Sequence, residues 1–502
     1  MHKLISIFLI ILIIQSISLH AQSYTYRESF KVGNMVSGGI GICATADTGN
    51  VLSILIADSM FAPLKINMTR VDKMGNLKWS KDYGEADDVL AYNPIELTDH
   101  NILISGRTGS GTGNVLIFKT DSNGNKLWAK SFSTGMQGFS QVCLEGNPNS
   151  YFICCASGND INEHFLLLNI DSTGSLIYAK RFGSDSFDDP ISFSKTHDGG
   201  IVFIGRTMGF GVESEDFYLV KLDSLGNVLW SKTFGGIYQE CGRKVVEAND
   251  KSLLLVGETN SFNSPNSGLV IKTDSMGNFL WSKTYYTGNF VEFDDCLKMP
   301  DGNFVITNSS SGLLKIDNSG DVLWSYNYLN YFGGFSCLNI NNDIALAGLT
   351  WHPDSLTICK TDINGYSCEQ TPITYTVNNV ILSIKTPLTI LYPVAPVITD
   401  YILPVVNNYP QRQIYCQYTN VIESTEKSEE LIAYPNPATN NLTVQTPENY
   451  IIEIISVKGQ IIKKLINNNN ETTIDLSDLS PGVYIIKAHS DKGFLIHKFI
   501  KQ

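Results

Sequence analysis

The sequence predicts an all-β protein: a seven-bladed β-propeller followed by an extended connector and a small immunoglobulin-like β-sandwich. Two observations predict it. One hairpin template recurs seven times at a near-constant spacing, and after its last copy the text changes twice, first to a proline-punctuated stretch and then to short strands separated by turns.

The chain opens with Met1, His2 and Lys3, an apolar run from Leu4 to Ile14, and Leu19-His20-Ala21 before Gln22. This is the layout of a secretory signal peptide, residues 1–21, cleaved between Ala21 and Gln22. The apolar run is too short for a comfortable span, and no later stretch approaches about 18 uninterrupted apolar residues, so no transmembrane segment is expected in the mature chain. With 36 basic against 49 acidic residues the formal charge is −13. Nucleic-acid binding requires a basic surface and is excluded on that ground.

The template reads FYLVKLDSLGNVLWSKTFGG from Phe217 and GLVIKTDSMGNFLWSKTYY from Gly268, with further copies from Lys65, Val115, Phe165, Gly312 and Leu356. Its marker aspartates are Asp72, Asp121, Asp171, Asp223, Asp274, Asp317 and Asp362, with gaps of 49, 50, 52, 51, 43 and 45. Each copy is an apolar strand, an Asp-x-x-Gly turn and a strand carrying Leu-Trp. The glycine supplies the positive φ of a short hairpin loop, and the aspartate caps the N–H groups of the turn. Two more strand-like runs precede each copy, giving four strands per repeat, the content of a propeller blade. Trp79, Trp128, Trp230, Trp281 and Trp324 share one phase, with Tyr178 in the third copy. A large aromatic repeated in this way packs one blade on the next.

The seventh copy lacks a final strand, because Ser367-Cys368-Glu369 stands where Trp-Ser-Lys should be. Tyr26-Arg27-Glu28-Ser29-Phe30 aligns with Trp230-Ser231-Lys232-Thr233-Phe234, so the N-terminal strand is expected to complete that blade within a propeller at 22–370. An open solenoid is the alternative, and the permuted strand favours closure, which removes exposed sheet edges.

Residues 371–430 carry Pro372, Pro387, Pro393, Pro396, Pro404 and Pro410 and then a charged run from Ile422 to Glu430. Proline excludes helix and limits central-strand pairing, so an extended, partly β connector packed on the propeller is expected, then a flexible linker. Of ten cysteines, Cys368 and Cys416 flank the connector and are the expected disulfide.

From Leu431 to Gln502 the chain reads Tyr434-Pro435-Asn436-Pro437, short strands with a turn at Lys458-Gly459-Gln460, then Leu479-Ser480-Pro481-Gly482-Val483-Tyr484 and a lysine-bearing terminal strand. Short strands at this spacing fit a small β-sandwich. The run resembles the type A C-terminal sorting domain of the type IX secretion system of Bacteroidota. Pro435, Asn436, Pro437, Pro481, Gly482, Tyr484, Lys487 and Lys498 are the positions that match its motifs. The resemblance implies export through the signal peptide and then the type IX machinery as partner, with a secreted or cell-surface location and the sorting domain either cleaved with the cargo anchored, or the product released. The propeller repeats likewise resemble the LDSxGNxLWxK repeats of exported proteins of that phylum.

Chemistry is sparse. The Asp-x-x-Gly turns lack the later acidic ligand of a calcium loop. Adjacent Cys154 and Cys155 suggest a quinoprotein vicinal disulfide, but in a strand they point to opposite faces. The glycine-rich stretch Gly106, Gly109, Gly111 and Gly113 leads into a strand and offers no helix N-terminus to a phosphate. His100, His164, His197 and His352 are isolated. No catalytic residue and no bound cofactor is assigned. One constellation remains, Asp87-Asp88, Asp188-Asp189 and Asp294-Asp295 with Glu240 nearby in phase, as an acidic funnel for calcium or a basic partner, or as pairs that merely cap strands. The reading is a non-catalytic platform binding an extracellular protein or glycan, with an extracellular hydrolase or lyase as the alternative.

Overall fold

The computed structural model describes residues 24–419 and 431–502, apart from 33–34, 60–61, 85–87, 92, 110–112, 147–148, 160–161, 212–213, 263–265, 310–311, 329–331, 339–341, 352–353, 368–369, 447–449, 457–460, 468–470 and 491–492. The expected signal peptide and its Ala21/Gln22 junction, the run Ile422 to Glu430, and the turn Lys458-Gly459-Gln460 lie outside the described residues. The chain divides into two units, Met1–Asn420 and Val421–Gln502. Among the described residues every helix or strand is a strand.

The first unit is seven antiparallel sheets, laid down in chain order. The fourth sheet is typical: Asp188–Lys195, Ile201–Thr207, Asp216–Leu222 and Val228–Gly235 run as a meander of adjacent strands. The seventh is built from three separate stretches of chain. Phe332–Leu338, Ile344–Trp351 and Asp354–Thr361 are followed in space by Tyr24–Lys31 and then by Gln411–Thr419. Tyr26 lies opposite Lys360 and Phe30 opposite Leu356, so the N-terminal strand takes the place that the seventh copy leaves vacant.

The template hairpin has one structural cause in all seven sheets. The Oδ1 of each marker aspartate accepts the backbone N–H groups two and four residues on, for example Met74 and Asn76 on Asp72 and Asn364 and Tyr366 on Asp362, all at 2.8–2.9 Å. The turn glycine then packs on the aromatic of the preceding sheet. A Cβ at Gly365 would sit 2.7 Å from ring carbons of Trp324, and one at Gly124 3.0 Å from Trp79. Gly174 meets Trp128, Gly226 meets Tyr178, Gly277 meets Trp230 and Gly320 meets Trp281 in the same way. The series returns to its start, because Gly75 of the first sheet meets Tyr26 of the seventh. One apolar cluster accordingly joins Tyr26, Phe30, Leu356 and Ile358 to Ile42, Leu52, Ile54 and Val71.

The proline-rich stretch does more than pack on the outside. Gln370–Pro372, Thr376–Asn379, Ser383–Lys385, Ile390–Tyr392, Val397–Asp400, Val405–Asn408 and Gln411–Thr419 each add an outer strand, to the sixth, fifth, fourth, third, second, first and seventh sheets in that order. It therefore passes every sheet once, in reverse chain order. Its contacts repeat every seven residues: Ser325 Oγ donates to Ile373 O, Ser282 Oγ to Val380 O at 2.7 Å and Ser231 Oγ to Pro387 O at 2.7 Å, while Tyr401 N donates to Ala129 O. Outer strands left bare would offer unpaired backbone to other chains. This belt pairs them. Cys416, in the last belt strand, is disulfide-bonded, and its expected partner Cys368 lies outside the described residues.

The second unit is a three-stranded sheet, Ile432–Tyr434, Asn441–Gln445 and Glu471–Asp475, and a four-stranded one, Ile461–Asn467, Tyr450–Ser456, Gly482–Ser490 and Gly493–Lys501. Leu442, Val444 and Ile474 of the first share a core with Ile452, Ile454, Ile486 and Phe499 of the second.

Candidate functional site

Each sheet has two ends. The Asp-x-x-Gly turns crowd one, and the first strands begin at the other, where the acidic pairs fall. Adjacent residues in a strand point to opposite faces, and the members of each pair diverge accordingly. Asp188 is fully buried and accepts the backbone N–H of Ser184 at 2.5 Å, its hydroxyl at 2.9 Å and the hydroxyl of Thr207 at 2.5 Å, with His164 Nδ1 at 3.4 Å. Asp295 pairs with Lys244 at 3.0 Å and accepts the N–H groups of Cys296 and Ser336. Asp88 accepts the N–H of Leu64 at 2.8 Å. Glu240, also buried, accepts the Gly236 N–H and the Thr259 hydroxyl, both at 2.6 Å. These carboxylates tie connectors to strand ends. Asp87 lies outside the described residues. No group of three or more His, Cys, Asp or Glu is arranged to hold a metal ion among the described residues.

Asp189 and Asp294 take part in a different assembly. Arg206 donates through Nε to Asp189 Oδ2 at 3.1 Å and through Nη1 to Glu215 at 2.8 Å, and Gln239 also donates to Glu215. On the fifth sheet Arg243 donates to Glu258 at 2.9 Å. Glu292 lies against Glu258, and Asp294 faces Arg243 and Glu258. Burial, reinforced by the Glu258 carboxylate, pushes Glu292 up to about 8, and burial against the pull of Arg243 leaves Asp294 at about 7. Asp189 is raised for the same first reason, with Arg206 and Arg243 opposing. The array is thus two clamped guanidiniums among five carboxyl groups of the fourth, fifth and sixth sheets, two of which burial raises far above the usual carboxylate range.

Sequence reasoning found Asp189 and Asp294 but missed Arg206, Glu215, Arg243, Glu258 and Glu292. A signal existed. Ser105-Gly106-Arg107-Thr108, Ile204-Gly205-Arg206-Thr207 and Val256-Gly257-Glu258-Thr259 place one charged residue at the same phase of the second strand. Arg243 and Asp294 occupy bulges, between Gly242 and Lys244 and between Phe293 and Asp295, where the ladder releases a side chain from its alternating face.

The other candidates resolve as packing. Cys154 and Cys155 are buried, and they enter different apolar clusters on the two faces of their strand. His197 pairs with Glu247 at 2.9 Å, and His164 stacks on Tyr392 of the belt with centroids 4.2 Å apart. His352 and Gly111 lie outside the described residues. In the second unit both Tyr434-Pro435 and Asn436-Pro437 are cis. The Asn436 side chain bridges the terminal strand, donating to Lys498 O and accepting from Ile500 N, both at 3.0 Å. Tyr484 donates to Ser480 O at 2.8 Å, which holds the turn at Pro481-Gly482 against the strand carrying Lys487.

The protein is thus an all-β chain with a separately folded, motif-bearing tail. Residues 432–502 match the family of secretion-system C-terminal sorting domains. A tail of this type IX kind marks the chain for export to the cell surface or beyond and for engagement by the type IX machinery. No curated protein matches. Among solved structures the chain is similar to the Dos1 propeller, at 13% identity over 65% of this chain and 78% of that one with a TM-score of 0.45. It is also similar to BamB from Moraxella catarrhalis, at 15% identity over 65% and 85% with a TM-score of 0.37. A third is PorZ, a surface component of the type-IX secretion system of Porphyromonas gingivalis, at 9% identity over 94% and 75% with a TM-score of 0.29. No helix of the described residues is long and apolar enough to cross a membrane.

Proposed function

We propose that the seven sheets are the blades of one closed β-propeller, that the tail is an immunoglobulin-like sandwich delivered to the type IX machinery after a signal peptide at 1–21 is removed, and that the propeller is a non-catalytic platform for an extracellular protein or glycan. The organisation read from the sequence, with a propeller from 22, a connector at 371–430 and a sorting domain at 431–502, is retained, the connector serving as the belt. The glycine-to-aromatic series that returns from the seventh sheet to the first supports closure.

The observation that carries the binding reading is the pair of clamped arginines. Arg206 is held by Asp189 and Glu215 and Arg243 by Glu258, so both present fixed donors beside fixed acceptors. Pre-organised charged donors lower the ordering cost of recognition. The alternative, an extracellular hydrolase or lyase, is favoured by Glu292 and Asp294, whose raised values suit proton donation near neutral pH. A calcium role for Asp188 and Asp189 is retained only as a subject for test. Protein and glycan arrays probed with the full chain decide between the readings. Binding that disappears in Arg206→Ala with Arg243→Ala supports the platform. Cleavage of an arrayed glycan or peptide that is lost in Glu292→Gln establishes the enzyme instead.

A further inference from the structure

A cleft of about 800 Å³ opens at the opposite end of the sheets, between the first and second, lined by Ala46, Asp47, Arg70, Lys78, Trp79, Glu96, His100, Ser122 and Asn123. Every one of these residues lies in or beside a hairpin turn, so the cleft is remote from the charged array at the strand starts.

It sits where the repeat is broken. In the third strand of each sheet one residue pairs directly with the aromatic of the fourth, and in five sheets it is a lysine: Lys119, Lys221, Lys272, Lys315 and Lys360. The third sheet has Asn169. Only the first has an arginine, Arg70, opposite Trp79. At two other junctions a ring from the next sheet covers the ammonium, Tyr151 at 5.4 Å from Lys119 and Phe304 at 5.0 Å from Lys272. The equivalent register position in the second sheet is held by Ile102, which has no ring to lay over the Arg70 guanidinium.

The groups around that space are fixed and their charges cancel. Arg70 donates to Ser122 O at 2.7 Å and pairs with Asp47 at 3.2 Å and Glu96 at 3.7 Å, while Lys78 pairs with Asp47 at 2.8 Å. Trp79 is half-buried, its Nε1 donating to Ser122 O at 3.0 Å. The imidazole of His100 and the carboxamide of Asn123 are exposed and make no hydrogen bond among the described residues. An indole, a locked and electrically balanced ion network, and two free groups that can each donate and accept are what a neutral polyhydroxyl ring requires: apolar C–H surface on the aromatic, hydroxyls on the polar rim. A charged ligand would have to displace an internal ion pair.

We infer that this cleft is a binding site for a neutral hexose unit of a glycan, seated against Trp79 and hydrogen-bonded by His100 and Asn123. The site does not depend on the reading given to the arginine and carboxylate array. The test is titration of the full chain with maltohexaose, laminarihexaose and mannohexaose, followed by calorimetry and by tryptophan fluorescence, in parallel with sulfated and uronate hexasaccharides. At least one neutral hexasaccharide should bind at millimolar concentration or below. His100→Asn, which tolerates the positive φ of 61° at that position, and Asn123→Ala should each weaken that binding about tenfold with the melting temperature unchanged. No binding by any neutral hexasaccharide up to 10 mM, binding confined to the charged sugars, or binding indifferent to both variants overturns the proposal. Binding abolished by Arg206→Ala but not by Asn123→Ala would place the sugar at the other end of the sheets and also overturn it.

Discussion

Arg412 closes on Glu28 with two hydrogen bonds, Nε to Oε2 at 2.7 Å and Nη2 to Oε1 at 2.6 Å, across 384 residues of sequence. Gln417 adds a third at 2.7 Å, and Glu28 is fully buried. The last belt strand thus locks the N-terminal strand into the seventh sheet. Removing one partner of a buried pair leaves an uncompensated charge, at a cost of about 3–5 kcal/mol. Arg412→Ala should lower the unfolding free energy measured in urea by that amount, whereas Glu28→Gln with Arg412→Gln, which removes both charges, should cost clearly less. Equal losses in the two variants would show that the charge pair does not fasten the strand.

Asp188 accepts hydrogen bonds from the Ser184 backbone N–H and hydroxyl and from the Thr207 hydroxyl. Each buried donor left without an acceptor costs about 1–3 kcal/mol. Asp188→Ala should therefore destabilise the chain to the same extent with chelator or with millimolar calcium, read by thermal melting. If calcium raises the wild-type melting temperature and this response is lost in Asp188→Ala with Asp189→Ala, the carboxylates hold a cation after all.

Glu292 and Asp294 keep their protons to about pH 8 and about pH 7 in the folded chain, well above their ordinary values near 4, because burial disfavours the charged forms. Between those limits the folded state binds more protons than the unfolded one, so their contribution to stability is present in acid and declines as pH rises through that window. Unfolding free energy measured from pH 5 to pH 8.5 should fall in the wild type and fall less steeply in Glu292→Gln. An unchanged slope would mean that Glu292 ionises normally.

The parts of this structure that could be read from the sequence are those in which one residue type does one job at a constant spacing. Asp223, Gly226 and Trp230 are an example: a cap, a positive φ and an inter-sheet contact each demand a particular side chain, so the text repeats. The N-terminal strand was legible for the same reason, since Tyr26 and Phe30 keep the phase of Trp230 and Phe234. The belt was legible only as an extended, partly β connector, and its path of one strand per sheet was not, although it too is periodic. Ile373, Val380, Pro387, Val394, Tyr401 and Asn408 recur every seven residues, but what the sheets recognise there is mostly a backbone carbonyl or N–H, which any residue supplies. The charged array was half-legible. Its acidic pairs stand out as dipeptides, whereas Arg206 and Arg243 acquire meaning only when two neighbouring sheets bring them beside Asp189 and Glu258.

The inter-sheet glycines allow conformation and packing to be separated. Gly365 has a φ of 77° and Gly199 a φ of 78°. A left-handed conformation costs an L-residue about 1–2 kcal/mol, so alanine carries that penalty at both sites. They differ in what the new methyl meets. At Gly199 nothing lies within 4 Å, while at Gly365 the Cβ would fall 2.7 Å from two ring carbons of Trp324, which cannot retreat because the ring is wedged between sheets. Gly199→Ala should therefore cost about 1–2 kcal/mol in chemical denaturation and Gly365→Ala at least 1–3 kcal/mol more, the usual price of overpacking. Trp324→Leu in the Gly365→Ala background should recover part of the difference, as a double-mutant cycle would show. Equal destabilisation at the two glycines would mean that Trp324 does not seal the sixth sheet against the seventh, and the returning series of contacts would lose one of its seven links.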